Sequence, residues 1–177
     1  MMSDLQTNLN QIQSRESFLE RIKRHIPGYD GYVNRDNSRE LDTLLRNQLA
    51  ADLTQNKTKI KNAVSNLSKN GKLFETADID KIDKKNENAI AKFRSAARGY
   101  SGAFDVVKIK EEKLNMLYEF DSNLFGYIEN ISSLFAELEN NSAANTDVRD
   151  TINKISAALD DLLKKFDERE GLLRSFS

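Results

Sequence analysis

One stretch of the sequence, Leu114 to Leu138, repeats apolar side chains at alternating steps of three and four residues. The apolar positions are Leu114, Leu117, Leu124, Ile128, Ile131, Phe135 and Leu138. This spacing places them along one face of a helix, which must pack against other helices to be shielded from water. Only Asp121 interrupts that face. Such a segment predicts a protein built from packed helices.

Four other segments show the same helical periodicity, and the chain has only 7 glycines and 1 proline, fewer than a sheet protein with many turns needs. We predict helices at about 4–26, 37–70, 77–98, 110–140 and 147–173. Pro27 and Gly71 are expected to end the first two, and Asn37 to cap the second together with Glu40. Short turns favour antiparallel neighbours. We therefore predict an all-α fold: one domain, residues 1–177, forming an elongated antiparallel bundle of about five amphipathic helices with coiled-coil-like packing.

The composition argues against most catalytic classes. The chain has no cysteine, which excludes disulfides, thiolate catalysis and zinc–cysteine sites. His25 is the only histidine, and the sequence around it lacks the Glu-x-x-His spacing of a di-iron bundle and any nucleophile elbow. We therefore predict that the protein is not an enzyme and holds no metal or cofactor. We read His25 as a residue in the last turn of its helix.

Charge and hydropathy restrict the partners and the compartment. The net charge of −1 gives no general attraction to nucleic acid, so we expect no nucleic-acid partner. Met1 to Asn10 has neither a basic run nor an apolar run, and no stretch approaches the ~20 apolar residues of a membrane span. The expected location is the cytoplasm.

Two loops share a G-Y-x-G core that is followed by an aromatic residue: Gly28–Tyr32 and Gly99–Phe104. In an alternating bundle both loops lie at the same end, each after a helix with a basic last turn. Tyrosine and arginine give a partner a large contact area at low entropic cost. The candidate partner-binding residues are Arg24, Tyr29, Tyr32, Arg98, Tyr100 and Phe104. The alternative is ordinary helix capping, with glycine after the last turn and the aromatic ring packed back on it.

Three polar residues stand where the apolar stripes expect a buried side chain: Glu16, Asn86 and Asp121. A buried carboxylate is costly unless it is paired, so Asp121 in the core would need an arginine, lysine or amide partner, or a raised pKa. Such residues can fix the register of a bundle. The alternative is that they are partly exposed.

Lys57, Lys59 and Lys61, with Lys69 and Lys72 beyond them, form a basic stretch. One interpretation is contact with an acidic partner, phosphate or anionic lipid, and the other is a solvated helix face. Together with the helical pattern, the stretch leaves two functions open. The first is a non-enzymatic scaffold or adaptor that acts through a protein partner or self-association. The alternative is a peripheral membrane protein that binds anionic lipid surfaces.

The run Ile26-Pro27-Gly28-Tyr29-Asp30-Gly31-Tyr32 and the later run Gly99-Tyr100-Ser101-Gly102-Ala103-Phe104-Asp105 resemble a family of uncharacterised prokaryotic helical-bundle proteins. The resemblance covers these two loops and their flanking helices. It implies a helical bundle and no particular activity, so no residue role follows from it.

Overall fold

The computed structural model describes residues 2–32, 35–95 and 110–175, and in these ranges the chain is helical without a strand. The prediction of an all-α helical bundle is confirmed. The helices of the described ranges are α1 (Met2–His25), α2 (Arg35–Thr54), α3 (Asn56–Lys69), α4 (Leu73–Ser95), α5 (Glu111–Ala143) and α6 (Arg149–Arg174). None of them is both long enough and apolar enough to cross a membrane.

Three differences between the helix boundaries and the predicted ones bear on the sequence analysis. The predicted second helix is divided at Gln55, between α2 and α3. Asn37 lies inside α2, which begins at Arg35, so its predicted role as the capping residue is wrong. α4 begins at Leu73, four residues before the predicted start, because the turn that precedes it is short. Capping patterns and apolar periodicity locate a helix better than they locate its first residue.

Two turns between helices use the same backbone motif. After α3, Gly71 has a φ of 72°, its amide bonds to the Ser68 carbonyl, and the Lys72 amide bonds to the Leu67 carbonyl. This pair of hydrogen bonds is the Schellman motif, and the predicted role of Gly71 as the residue after the helix is confirmed. After α5, Asn145 takes the same position with a φ of 57°. Asparagine tolerates this left-handed conformation better than most residues other than glycine.

The chain divides into two compact units. Unit 1 comprises Met1–Gln48, Ala97–Phe125 and Lys165–Ser177. Its described part contains α1, the loop after α1, and parts of α2, α5 and α6. The buried apolar residues of unit 1 are Ile22, Ile26, Tyr29, Tyr32, Leu41, Leu45, Leu114, Leu117, Tyr118, Leu124, Phe125, Phe166 and Leu173.

Unit 2 comprises Leu49–Ala96 and Gly126–Lys164. Within it α3 packs against α4. Polar contacts between α3 and α5 advance in the same direction along both helices, from Lys59 with the Ser132 carbonyl to Asn66 with Ser142, so these two helices are parallel. Ile128 and Ile131, from the repeat that predicted the fold, are 2% and 0% exposed. The single domain proposed for residues 1–177 stays a prediction.

Candidate functional site

The loop after α1 folds its two tyrosines inward. Pro27 follows the end of α1, and Gly28 and Gly31 have φ values of 83° and 89°. A Cβ atom on Gly31 would lie 2.6 Å from the Tyr118 hydroxyl, so glycine is needed there for space as well as for its backbone conformation. Tyr29 and Tyr32 are 0% and 3% exposed. The loop therefore belongs to the core of unit 1.

This placement contradicts the prediction that Tyr29 and Tyr32 form a surface for a protein partner. Buried rings cannot contact a partner. The alternative of ordinary helix capping fits better, and both rings pack more deeply into the interior than capping alone requires. Arg24 is exposed at the end of α1. The other three candidates, Arg98, Tyr100 and Phe104, lie outside the described residues, and with them the second G-Y-x-G loop.

A buried ionic cluster is centred on Arg169 of α6, whose side chain is 0% exposed. Its guanidinium donates through Nε to Asp121 of α5 and through Nη1 to Oε1 of the neighbouring Glu170, at 3.1 Å. Its Nη2 lies 2.7 Å from Oδ1 of Asp42 in α2. A second buried guanidinium, that of Arg46, donates through Nε to Oδ2 of Asp42 at 2.9 Å. Three helices therefore meet through charges that are removed from water.

Tyr32 connects this cluster to the loop after α1. Its hydroxyl donates to Oδ2 of Asp121 at 2.6 Å and accepts from Nη2 of Arg169 at 3.3 Å. Its backbone amide donates to the hydroxyl of Tyr118 at 2.8 Å, and the two rings stack with centroids 5.5 Å apart. Through these contacts the loop conformation and the ionic cluster depend on each other.

The electrostatics of the cluster follow from its burial. Burial raises the pKa of Asp121, and the Arg169 guanidinium opposes that rise. Burial and the charge of Asp121 raise the pKa of Tyr32 well above its ordinary value. For Arg169, burial disfavours the charge, but its neighbours, Asp121 and Asp42 foremost, favour it, and the pKa is raised. Arg169 therefore stays a cation, and Tyr32 stays a neutral donor.

The cluster is suited to holding helices in register. A buried ion pair gains little over an apolar pair of the same shape, but losing one partner strands a charge in the interior. Any shift of α6 along α5 would separate Arg169 from Asp121 and incur that cost. The sequence analysis required a partner for Asp121 if that residue lies in the core. Asp121 is buried there and pairs with Arg169.

The other two polar interruptions have different surroundings. Asn86 is buried in unit 2, and its Nδ2 donates to the Leu53 carbonyl at 3.2 Å. Glu16 is exposed, so it is not a buried register residue, and the alternative of exposure applies to it. The reason is that the described residues do not cover this part of the apolar stripe of α1, because Leu9 and Ile12 are each 51% exposed. Periodicity showed that these side chains share a face, but not where that face is covered.

Two lysines of the basic stretch make contacts inside unit 2. Lys57 forms an ion pair with Glu87 of α4, and Lys59 donates to the Ser132 carbonyl of α5 at 3.1 Å. These lysines join α3 to its neighbours. They are therefore less available to a phosphate or to a lipid head group than a solvated basic face would be.

The most exposed large apolar side chains among the described residues are Leu73 and Phe74, at 70% and 89%. They are consecutive, in the first turn of α4, directly after the left-handed turn at Gly71. The sequence interpretation missed this pair because it began the helix at residue 77. The signal in the sequence was two large apolar residues directly after Gly71 and Lys72.

The described residues contain no group of three or more His, Cys, Asp or Glu side chains arranged to hold a metal ion. The carboxylates around Arg169 contact a guanidinium instead. Comparison with models of known protein families, with curated proteins and with solved structures finds no match. Function therefore has to be argued from the residues themselves.

Proposed function

We propose that this protein is a non-enzymatic scaffold or adaptor that acts by binding a protein partner, with Leu73 and Phe74 at the centre of the contact. The observation that carries the proposal is the exposure of this consecutive pair, 70% and 89%, whereas most of the large apolar side chains that the structure describes are buried. Exposed apolar groups on a rigid helix turn are typical of interaction surfaces.

The energy available at this pair is a large part of what a specific contact needs. Full burial of a leucine or phenylalanine side chain contributes about 1.5–3 kcal/mol. In the isolated chain most of this free energy is not gained, because both side chains are largely exposed. The two side chains together would supply about 3–6 kcal/mol, compared with the ~8 kcal/mol of a micromolar complex. The first turn of α4 follows a Schellman turn, so its backbone is already ordered, and binding costs mainly the freedom of the two side chains.

The charges around the pair favour a protein over an anionic membrane. Lys69 and Lys72 precede it, but Glu75 and Asp78 follow within the next turn. Lys57 and Lys59, which motivated the lipid alternative, contact other parts of unit 2. A membrane-binding tip needs basic residues without a matching number of acidic ones.

The test is affinity capture from the source cell with the full chain, comparing wild type with Leu73→Ser/Phe74→Ser. We expect the double variant to lose its partner while its denaturation midpoint stays unchanged, because both side chains are already exposed. Leu44→Ser is the matched control, since Leu44 is 45% exposed in α2. It should retain the partner.

Self-association is tested in the same series by light scattering. A wild-type dimer that becomes monomeric only in the double variant would identify a second copy as the partner. Capture that is the same for wild type and the double variant would refute the proposal. The proposal would also be refuted if no protein is captured and if anionic vesicles bind the wild type but not the double variant.

A further inference from the structure

The outer side of α3 is basic and carries no compensating acid. The helix contains four lysines and no aspartate or glutamate. Two of the lysines, Lys57 and Lys59, contact α4 and α5 within unit 2. The other two, Lys61 and Lys69, are exposed and form no ion pair or hydrogen bond with any described residue. Their positive charge is therefore not neutralised by the part of the chain that the structure describes.

These two lysines lead along α3 to the exposed apolar pair. Lys61, Ser65 and Lys69 follow each other at steps of four residues, so they share one side of the helix. All three are exposed, and the backbone positions of the two lysines lie ~12 Å apart along the helix axis. Lys69 is the last residue of α3, and Leu73 begins α4 after a turn of three residues. A single tight turn therefore separates Lys69 from Leu73 and Phe74.

The acidic side chains of α4 near the apolar pair are matched or lie on another side of the helix. Asp78 pairs with Lys81, and Asp80 pairs with Lys84, each at 2.8 Å. Glu75 is half-buried and precedes a buried position of α4 by four residues, so it lies on the inner side of the helix. The charge left to attract a partner beside the apolar pair is therefore positive.

We propose that the partner at Leu73 and Phe74 is a protein segment rich in aspartate or glutamate, which lies along the outer side of α3. Its carboxylates pair with Lys61 and Lys69, and its apolar side chains cover Leu73 and Phe74. This inference rests on the proposed function, because it names the chemistry of the partner at the same contact. Complementary charge around an apolar contact speeds association and excludes partners of the wrong charge.

An anionic membrane fits this surface less well than an acidic peptide. A bilayer is flat on the scale of two helix turns, so docking of Leu73 and Phe74 also brings Asp78 and Asp80 to the anionic surface. Both of these side chains reach solvent, and like charges there oppose binding. A peptide can follow α3 alone and meet only its lysines.

The test is panning of the full chain against random peptides displayed on phage, at low ionic strength, where attraction between exposed charges is least screened. We expect the enriched peptides to combine several acidic residues with large apolar ones. The best peptide is then titrated by fluorescence polarisation. Lys61→Glu/Lys69→Glu should weaken its binding by about tenfold or more, because two favourable charge contacts become repulsive. Leu73→Ser/Phe74→Ser should abolish it.

Lys110→Glu/Lys164→Glu is the matched control. Both lysines are exposed, and their side chains form no ion pair or hydrogen bond with any described residue, so the double variant makes the same change in net charge at other places. It should leave the affinity for the peptide unchanged. Equal weakening by the two lysine double variants would show diffuse attraction and overturn the proposal. Circular dichroism checks that each variant folds.

The remaining outcomes separate this inference from the proposed function. Enriched peptides that need Leu73 and Phe74 but carry no acidic residues, or that bind Lys61→Glu/Lys69→Glu as tightly as wild type, would overturn the inference alone. Peptides that bind Leu73→Ser/Phe74→Ser normally would count against both. Enrichment of no peptide would also overturn the inference, and anionic vesicles that bind wild type but not Lys61→Glu/Lys69→Glu would assign the lysines to a membrane instead.

Discussion

Replacing Arg169 with methionine removes the positive centre of the buried cluster while roughly keeping the volume of the side chain. In the wild type, the guanidinium contacts Asp121, Asp42 and Glu170, and Arg169 is 0% exposed. In the variant Asp42 keeps its hydrogen bond from Arg46. Asp121 keeps only the Tyr32 hydroxyl, which is neutral. The variant therefore leaves the Asp121 carboxylate in the interior without a cation.

The expected cost is about 3–5 kcal/mol, the range for breaking a buried ion pair by removal of one partner. That is a large fraction of the ~5–15 kcal/mol that stabilises a typical domain. Because most of the cost is the stranded charge, Arg169→Met/Asp121→Asn should be more stable than Arg169→Met by about 2 kcal/mol. In that double variant, the Tyr32 hydroxyl can still donate to the amide oxygen at position 121.

The variant should also change the pH dependence of stability. Burial already raises the pKa of Asp121, and Arg169 limits that rise. Without the guanidinium, the folded-state pKa lies further above the unfolded value. A raised folded-state pKa adds stability at low pH, and this stability is lost as the pH rises through the folded-state pKa. Arg169→Met should therefore recover part of its lost stability as the pH falls and Asp121 takes up a proton.

Urea denaturation followed by circular dichroism measures these free energies, with the m-value as the check on two-state behaviour. Wild type, both single variants and the double variant form a double-mutant cycle. An Arg169→Met variant within ~1 kcal/mol of wild type would show that the cluster is not a dry ionic contact. A double variant no more stable than Arg169→Met would refute the stranded-charge explanation.

Two further predictions use the same denaturation assay. Gly31→Ala should cost about 1–3 kcal/mol more than Gly28→Ala, because both share the cost of a positive φ but only a Cβ on Gly31 meets the Tyr118 hydroxyl. Equal losses for the two glycine variants would contradict this steric explanation. Asn56→Leu should raise the free energy of unfolding by about 1–3 kcal/mol, since Asn56 is 0% exposed and neither atom of its amide has a hydrogen-bond partner among the described residues. A loss of stability would argue that the amide is paired in solution.

The helical class followed from the sequence because periodicity is a local property. Ile128 and Ile131 are buried as predicted, and Gly71 ends its helix as predicted. The sequence predicted the candidate sites less well than the helices. Tyr29 and Tyr32 were chosen as exposed rings and are buried, because the direction of a loop depends on what it packs against. Arg169 was missed, although it follows Phe166 at the step where the stripe of α6 expects an apolar residue.

What the sequence determined by itself is the set of helices, their apolar faces and the need of Asp121 for a cation if it lies inside. These depend on residues three or four apart, which the chain order brings together in any helix. Only the tertiary structure decided that the cation is Arg169, 48 residues away, and that Glu16 lies in water while Leu73 and Phe74 lie uncovered. Such pairings and exposures depend on which helices become neighbours, and that is fixed by the packing of the whole chain.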